Sequence, residues 1–158
     1  MDKQTEKHHI SFMNQALVQA RKAFEADEVP IGAIVVDPQG TIISRAYNKV
    51  EKVHSQSGHA EVLAIVKAGK KLGDWRLNGC WIYVTLEPCA MCLHLILLSR
   101  LEGIVFGASS PVYGYHLDKI GTLSIYKNRC LPVKVIEAVC VEESVELLKH
   151  FFIKKREM

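Results

Sequence analysis

Apolar residues at Phe12, Ala16, Ala20 and Phe24 recur every four positions, and Leu17 and Ala23 widen the stripe. This spacing predicts an amphipathic packing helix from Ser11 to Ala26, ended by Glu28-Val29-Pro30. Ile31 to Val36 is apolar throughout apart from one glycine, which predicts a buried strand. Asp37-Pro38-Gln39-Gly40 is a turn signal, and Thr41 to Ala46 returns as the second strand of a hairpin. Tyr47 to Gly58 is polar and loop-like. His59 to about Lys70 is apolar nearly all round, so it predicts a helix sandwiched between other elements. Cys80 to Thr85 reads as a third strand, and the run Leu93 to Leu98 as a buried helix ending near Ser99. Gly103 to Phe106 predicts a fourth strand and Val133 to Val139 a fifth, with an irregular stretch from Gly107 to Gly121 between them. Glu142 to Arg156 closes as a helix with acids in its first turn and bases in its last, matching the helix dipole. Val145, Leu148, Phe151 and Phe152 form its expected apolar face.

This order describes an α/β domain with helices on both faces of a mixed sheet. At 158 residues the chain fits one domain, 1–158, with a proper core, and no linker or repeat divides it. No apolar run reaches the roughly 18 residues that span a membrane. Met1 to His9 is polar and lacks a signal-peptide core, so the expected location is the cytoplasm. A net charge of +3 permits nucleic-acid binding without arguing for it. Of five cysteines, Cys80, Cys130 and Cys140 read as reduced structural thiols.

Cys89 and Cys92 are different. They lie three apart at the predicted start of a helix, just after Pro88, so both sulfurs can point one way. The positive end of the helix favours their thiolate forms. His59, at the start of the preceding helix, is the best third ligand. Two sulfurs and one imidazole leave a tetrahedral position open, as a catalytic zinc site requires. Glu61 is about 200° round an ideal helix from His59, so it is expected to work beside the metal rather than on it. Such a carboxylate can take a proton from an activated water and pass it to a leaving amine. A closed structural site would need a fourth ligand. The nearest spare histidine, His94, faces away from Cys92. Elsewhere two readings stay open. Asn48 is a turn former or a ligand contact. Glu87 bonds to backbone amides or touches substrate. Tyr113, Tyr115 and His116 stack on a base or pack down on the core. Lys154-Lys155-Arg156 meets phosphate or is a solvated helix end.

His59-Ala60-Glu61 followed by Pro88-Cys89-Ala90-Met91-Cys92 is the signature of zinc-dependent nucleobase deaminases. With Glu28-Val29-Pro30-Ile31-Gly32-Ala33, Asn48, Thr85-Leu86-Glu87, Val105-Phe106-Gly107-Ala108 and Phe151-Phe152, the chain resembles the bacterial tRNA-specific adenosine deaminases. The resemblance runs from about Phe12 to Arg156. It implies a cytidine deaminase-like, three-layer α/β/α fold with a five-stranded mixed sheet. It implies one zinc per subunit on His59, Cys89 and Cys92, with Glu61 moving protons. The implied reaction is hydrolysis of the wobble adenosine of a tRNA anticodon loop to inosine. Asn48 lies where the family places a substrate-contacting asparagine, and Ala60, Glu87, Pro88, Ser110, Tyr113 and Phe151 complete the expected substrate surface. A homodimer is implied, with the second metal-bearing helix and the loop after the fourth strand near its interface.

Two departures stand out. Gln56-Ser57-Gly58 replaces the family's usual Pro-Thr-Ala, and Ser110 stands near the place of an aspartate. The second departure leaves the chemistry alone but keeps an alternative substrate class in play, a free base or nucleoside such as guanine, cytosine or a modified purine. A small closed pocket would mark that alternative, and an open basic groove would mark tRNA. A non-catalytic binding protein would have no need of Glu61.

Overall fold

The computed structural model describes residues 3–114 and 133–157. The expectations for Tyr115, His116 and Cys130 lie outside the described residues. The elements run α1 (Lys3–Glu25), β1 (Gly32–Val36), β2 (Ile42–Tyr47), α2 (Val50–Val53), a 3-10 turn (Gln56–Gly58) and α3 (Ala60–Leu72). They continue with β3 (Trp81–Leu86), α4 (Ala90–Leu98), β4 (Gly103–Ala108), β5 (Lys134–Ile136) and α5 (Val141–Arg156).

The sheet order is β2-β1-β3-β4-β5. β1 is antiparallel to both β2 and β3, while β3, β4 and β5 are mutually parallel. The hairpin closes where Asp37 Oδ1 accepts the N–H groups of Gln39 and Thr41 at 3.0 and 2.8 Å. Strand alternation sorts the core into two layers. Ala33, Val35, Ile82, Val84, Ile104 and Phe106 pack under α3 and α4. Ile34, Val36, Tyr83 and Val105 pack under α1. α5 lies on that second face, against α1 and β4. Both faces of β1 are therefore covered, which is why its sequence shows no polar alternation. The result is the expected three-layer α/β/α arrangement with a five-stranded mixed sheet.

Several details differ from the sequence-based expectation. The stretch expected as a loop from Tyr47 to Gly58 contains α2 and the 3-10 turn, and β5 spans Lys134–Ile136 rather than Val133 to Val139. α1 begins at Lys3 rather than Ser11, because its polar first turns carry His9 to a buried partner. His9 Nδ1 lies 2.9 Å from the Tyr83 hydroxyl, and its ring leans on Trp81. α3 is not sandwiched. It seats a small-residue face, Ala60, Ala64 and Ala68, on the sheet and leaves Val66 exposed. α4 is not fully buried either, since Met91 and Leu98 reach the surface, Leu98 at 62% exposure. α5 is rotated so that Ser144 and Phe151 face inward while Phe152 and Ile153 are exposed. Among the described residues, no helix is long and apolar enough to cross a membrane.

Candidate active site

Two helices start at one place, and each offers a metal-binding side chain where a helix ordinarily carries a capping hydroxyl or carboxylate. Ser55 opens the 3-10 turn by accepting the Ser57 N–H at 3.2 Å. The turn ends on His59, whose extended backbone makes it the N-cap of α3. Pro88 is buried and delivers Cys89 as the N-cap of α4, while Cys92 follows one turn in. Neither side chain makes the usual N-capping hydrogen bond. Imidazole and sulfur are thus free to face one another at the positive ends of two helices.

His59 Nδ1 lies 3.4 Å from Cys92 Sγ and 3.8 Å from Cys89 Sγ, and all three ligand atoms fall within 4.8 Å of one another. Tetrahedral zinc with its usual bond lengths separates a nitrogen from a sulfur by about 3.5 Å. The three donors therefore fit the zinc ion that the sequence implies. Among the described residues no fourth side chain joins the group. His94 instead bonds back to the Ala90 carbonyl.

The charges agree with a cation site. The Cys92 thiol donates to Cys89 and, with His59 beside it, brings Cys89 down to about 4. Sharing its proton with that thiolate, together with burial, drives Cys92 up. The bond to Cys89 also raises His59. Two adjacent sulfurs cannot both carry charge here without a counter-ion, and a divalent metal is the natural one.

Glu61 is 4% exposed and faces Cys92. Burial pushes it up to about 6, against the pull of His59. The helical angle had separated Glu61 from His59. They converge because His59 stands outside the helix, with φ −57° and ψ 140°, so the angle does not apply. Glu61 is nonetheless outside the ligand group.

Asn48 is 5% exposed and anchored by its backbone N–H to the Ile31 carbonyl at 2.9 Å. The methyl of Ala60 is in the core, which leaves only its backbone to face the site. Glu87 accepts the Ser110 N–H at 2.9 Å, and the Ser110 carbonyl accepts the Gly114 N–H at 2.9 Å. Gly114 pairs with Cys89, and a β-carbon there would collide with the Glu87 carboxylate. Glu87 thus straps the loop after β4 onto the start of α4. Tyr113 sits outside that strap at 79% exposure. Phe151 is across the sheet, 4% exposed, with its ring edge-on to Phe24 and Phe152.

Sequence reasoning missed two polar anchors. Glu28, also buried, accepts the N–H groups of Glu51 and Lys52 at 3.1 and 2.7 Å, pinning the segment between Asn48 and His59. No local pattern announces that contact. Gln56 bonds to His59, and its place three residues ahead on a tight turn was the available signal.

With this geometry in view, residues 6–108 match the profile of the cytidine and deoxycytidylate deaminase zinc-binding region. A tRNA-specific adenosine deaminase of Aquifex aeolicus is 42% identical over 146 residues, 92% of this chain and 94% of that protein. Its counterpart in Bacillus subtilis is 42% identical over 145 residues, 92% and 89% of the two chains. A solved structure from work on A-to-I editing by tRNA:A34 deaminases at the wobble position of transfer RNA superposes with a TM-score of 0.77. It is 38% identical and covers 87% of this chain and 99% of that one. The cluster, the fold and these likenesses agree: the chain belongs to the zinc-binding cytidine and deoxycytidylate deaminase family and, within it, to the tRNA-specific adenosine deaminases.

Proposed function

We propose that this protein hydrolyses the wobble adenosine of a tRNA anticodon loop to inosine, releasing ammonia. One observation carries the chemistry: a buried carboxylate, Glu61, stands beside three converging soft and imidazole donors, His59, Cys89 and Cys92. Those three would hold one zinc per subunit, and bound zinc would supply a water acidic enough to give up a proton near neutral pH. Glu61 would take one proton of that water and pass it to the amine at C6, which leaves as ammonia, while the water's oxygen remains as the carbonyl of hypoxanthine and its second proton ends on N1. A carboxyl that titrates near 6 can both accept and donate at neutral pH. The buried Asn48 would be the group that reads the flipped base.

Substrate class rests on likeness over nearly the whole chain to proteins named for tRNA. Ser110, tied to Glu87, would shape the wall of the pocket, and Tyr113 is exposed for stacking on a loop nucleotide. Met91 and Leu98 leave an apolar face of α4 at the surface. A second copy would cover it, giving the homodimer. The reading places the protein in the cytoplasm with its tRNA. Purified protein should carry one zinc per chain and form inosine in an anticodon stem-loop, and chelation should stop it. Zinc-loaded protein that leaves such a stem-loop unchanged would overturn the assignment.

A further inference from the structure

Gln56 has no part in the reaction described, yet it touches the one ring nitrogen of His59 that the sulfurs do not. Its Oε1 lies 2.9 Å from His59 Nε2, while Nδ1 faces Cys92 and Cys89 at 3.4 and 3.8 Å. An amide oxygen only accepts, so this bond requires a proton on Nε2. Neutral imidazole has one ring proton, and placing it on Nε2 leaves the Nδ1 lone pair directed at the sulfurs. We propose that Gln56 is a positioning residue that orients the His59 ring and selects the tautomer whose Nδ1 binds the metal. The proposal rests on His59 being a zinc ligand.

The local backbone is built for this contact. Residues three apart eclipse on a 3-10 turn, which brings Gln56 and His59 together. The His59 N–H also donates to the Gln56 carbonyl at 3.3 Å, so one residue holds both the backbone and the ring of the same histidine. Ser55 Oγ holds the turn from the front through Ser57. Behind it, the Gly58 carbonyl accepts the Lys49 N–H at 2.9 Å. A β-carbon on Gly58 would lie 2.8 Å from the backbone of Lys49 and Val50, so the close approach needs glycine. Where the family usually has Pro-Thr-Ala, Gln-Ser-Gly supplies an acceptor that proline lacks. Partners of this kind orient metal-binding histidines and raise their basicity.

The test is zinc affinity, measured by chelator competition on the full-length protein, with Gln56→Leu and Gln56→Glu beside wild type. Outer partners of ligands typically contribute tenfold to a hundredfold in affinity. This one is at the surface, so Gln56→Leu should weaken zinc about tenfold. Gln56→Glu keeps an acceptor on the same side chain and should restore wild-type affinity or exceed it. The zinc-free proteins should share one thermal midpoint. Affinity in Gln56→Leu within twofold of wild type overturns the proposal. So does a Gln56→Glu variant as weak as Gln56→Leu, or a zinc-free midpoint that falls with the affinity. A wild-type chain that holds no zinc overturns the reading of the site, and this proposal with it.

Discussion

The two faces of the sheet use buried polar groups in opposite ways. Under α1 and α5 two of them meet partners inside the fold. His9 meets Tyr83, and the Ser144 hydroxyl bonds to the Cys140 carbonyl. Under α3 and α4 the polar groups at the helix starts face a shared point instead. His59, Cys89 and Cys92 crowd one another, and Glu61 beside them is held with a raised affinity for protons. On the proposed function, the converging polar groups mark the working face and the opposite side of the sheet is structural. Substitutions on the two faces should therefore separate activity from stability.

The largest effect is expected on the working face. Glu61→Gln keeps the volume but cannot exchange the proton, and inosine formation should fall about 10³-fold with zinc content unchanged. Loss of zinc together with activity would make Glu61 a structural support instead. Phe151→Ala belongs to the other face. Removing that buried ring should cost about 3–5 kcal/mol in chemical denaturation. The fraction that remains folded should turn over normally, and a catalytic defect in it would return Phe151 to the substrate surface.

The smallest effect is in the pH limits of the structural face. Burial raises the Tyr83 hydroxyl to about 12 from an ordinary 10. The folded protein keeps this proton after the unfolded chain has released it. The stabilisation is complete below pH 10 and is lost as pH rises through 12, about 2–3 kcal/mol in all. Burial lowers His9, with His8 adding repulsion. Its contribution is therefore present above pH 6.5 and declines as acid charges the unfolded chain first. Denaturation from pH 9 to 12 should show the alkaline loss in wild type and not in Tyr83→Phe. Parallel curves would mean that Tyr83 does not titrate with unfolding.

The difference between the faces also explains what was legible in the sequence. His59, Cys89, Cys92 and Glu61 were readable because each sits within a turn of a helix start, where short spacing fixes geometry. β1 and β4 were readable from unbroken apolar runs, and β2 from the turn signal ahead of it. Long-range pairs were not. Nothing near His9 in the chain points to Tyr83, so the first turns of α1 read as a polar tail. Glu28 gives no local sign that it holds the segment leading to His59. The apolar pattern of α5 admitted either rotation, and packing against Phe24 chose Phe151 to face inward and left Phe152 exposed. The face of α4 that carries Leu98 looked like core because an unbroken apolar run reads as buried whether or not the fold covers it.

The most direct test of substrate class sets an anticodon stem-loop bearing adenosine at the wobble position beside free guanine, adenine, cytosine and their nucleosides. Inosine and ammonia are measured with one zinc-loaded preparation. The account predicts inosine in the stem-loop and no turnover of the free compounds. Ammonia from a free base, with the stem-loop untouched, would contradict it and mean that the loop strapped down by Glu87 walls a small-molecule pocket.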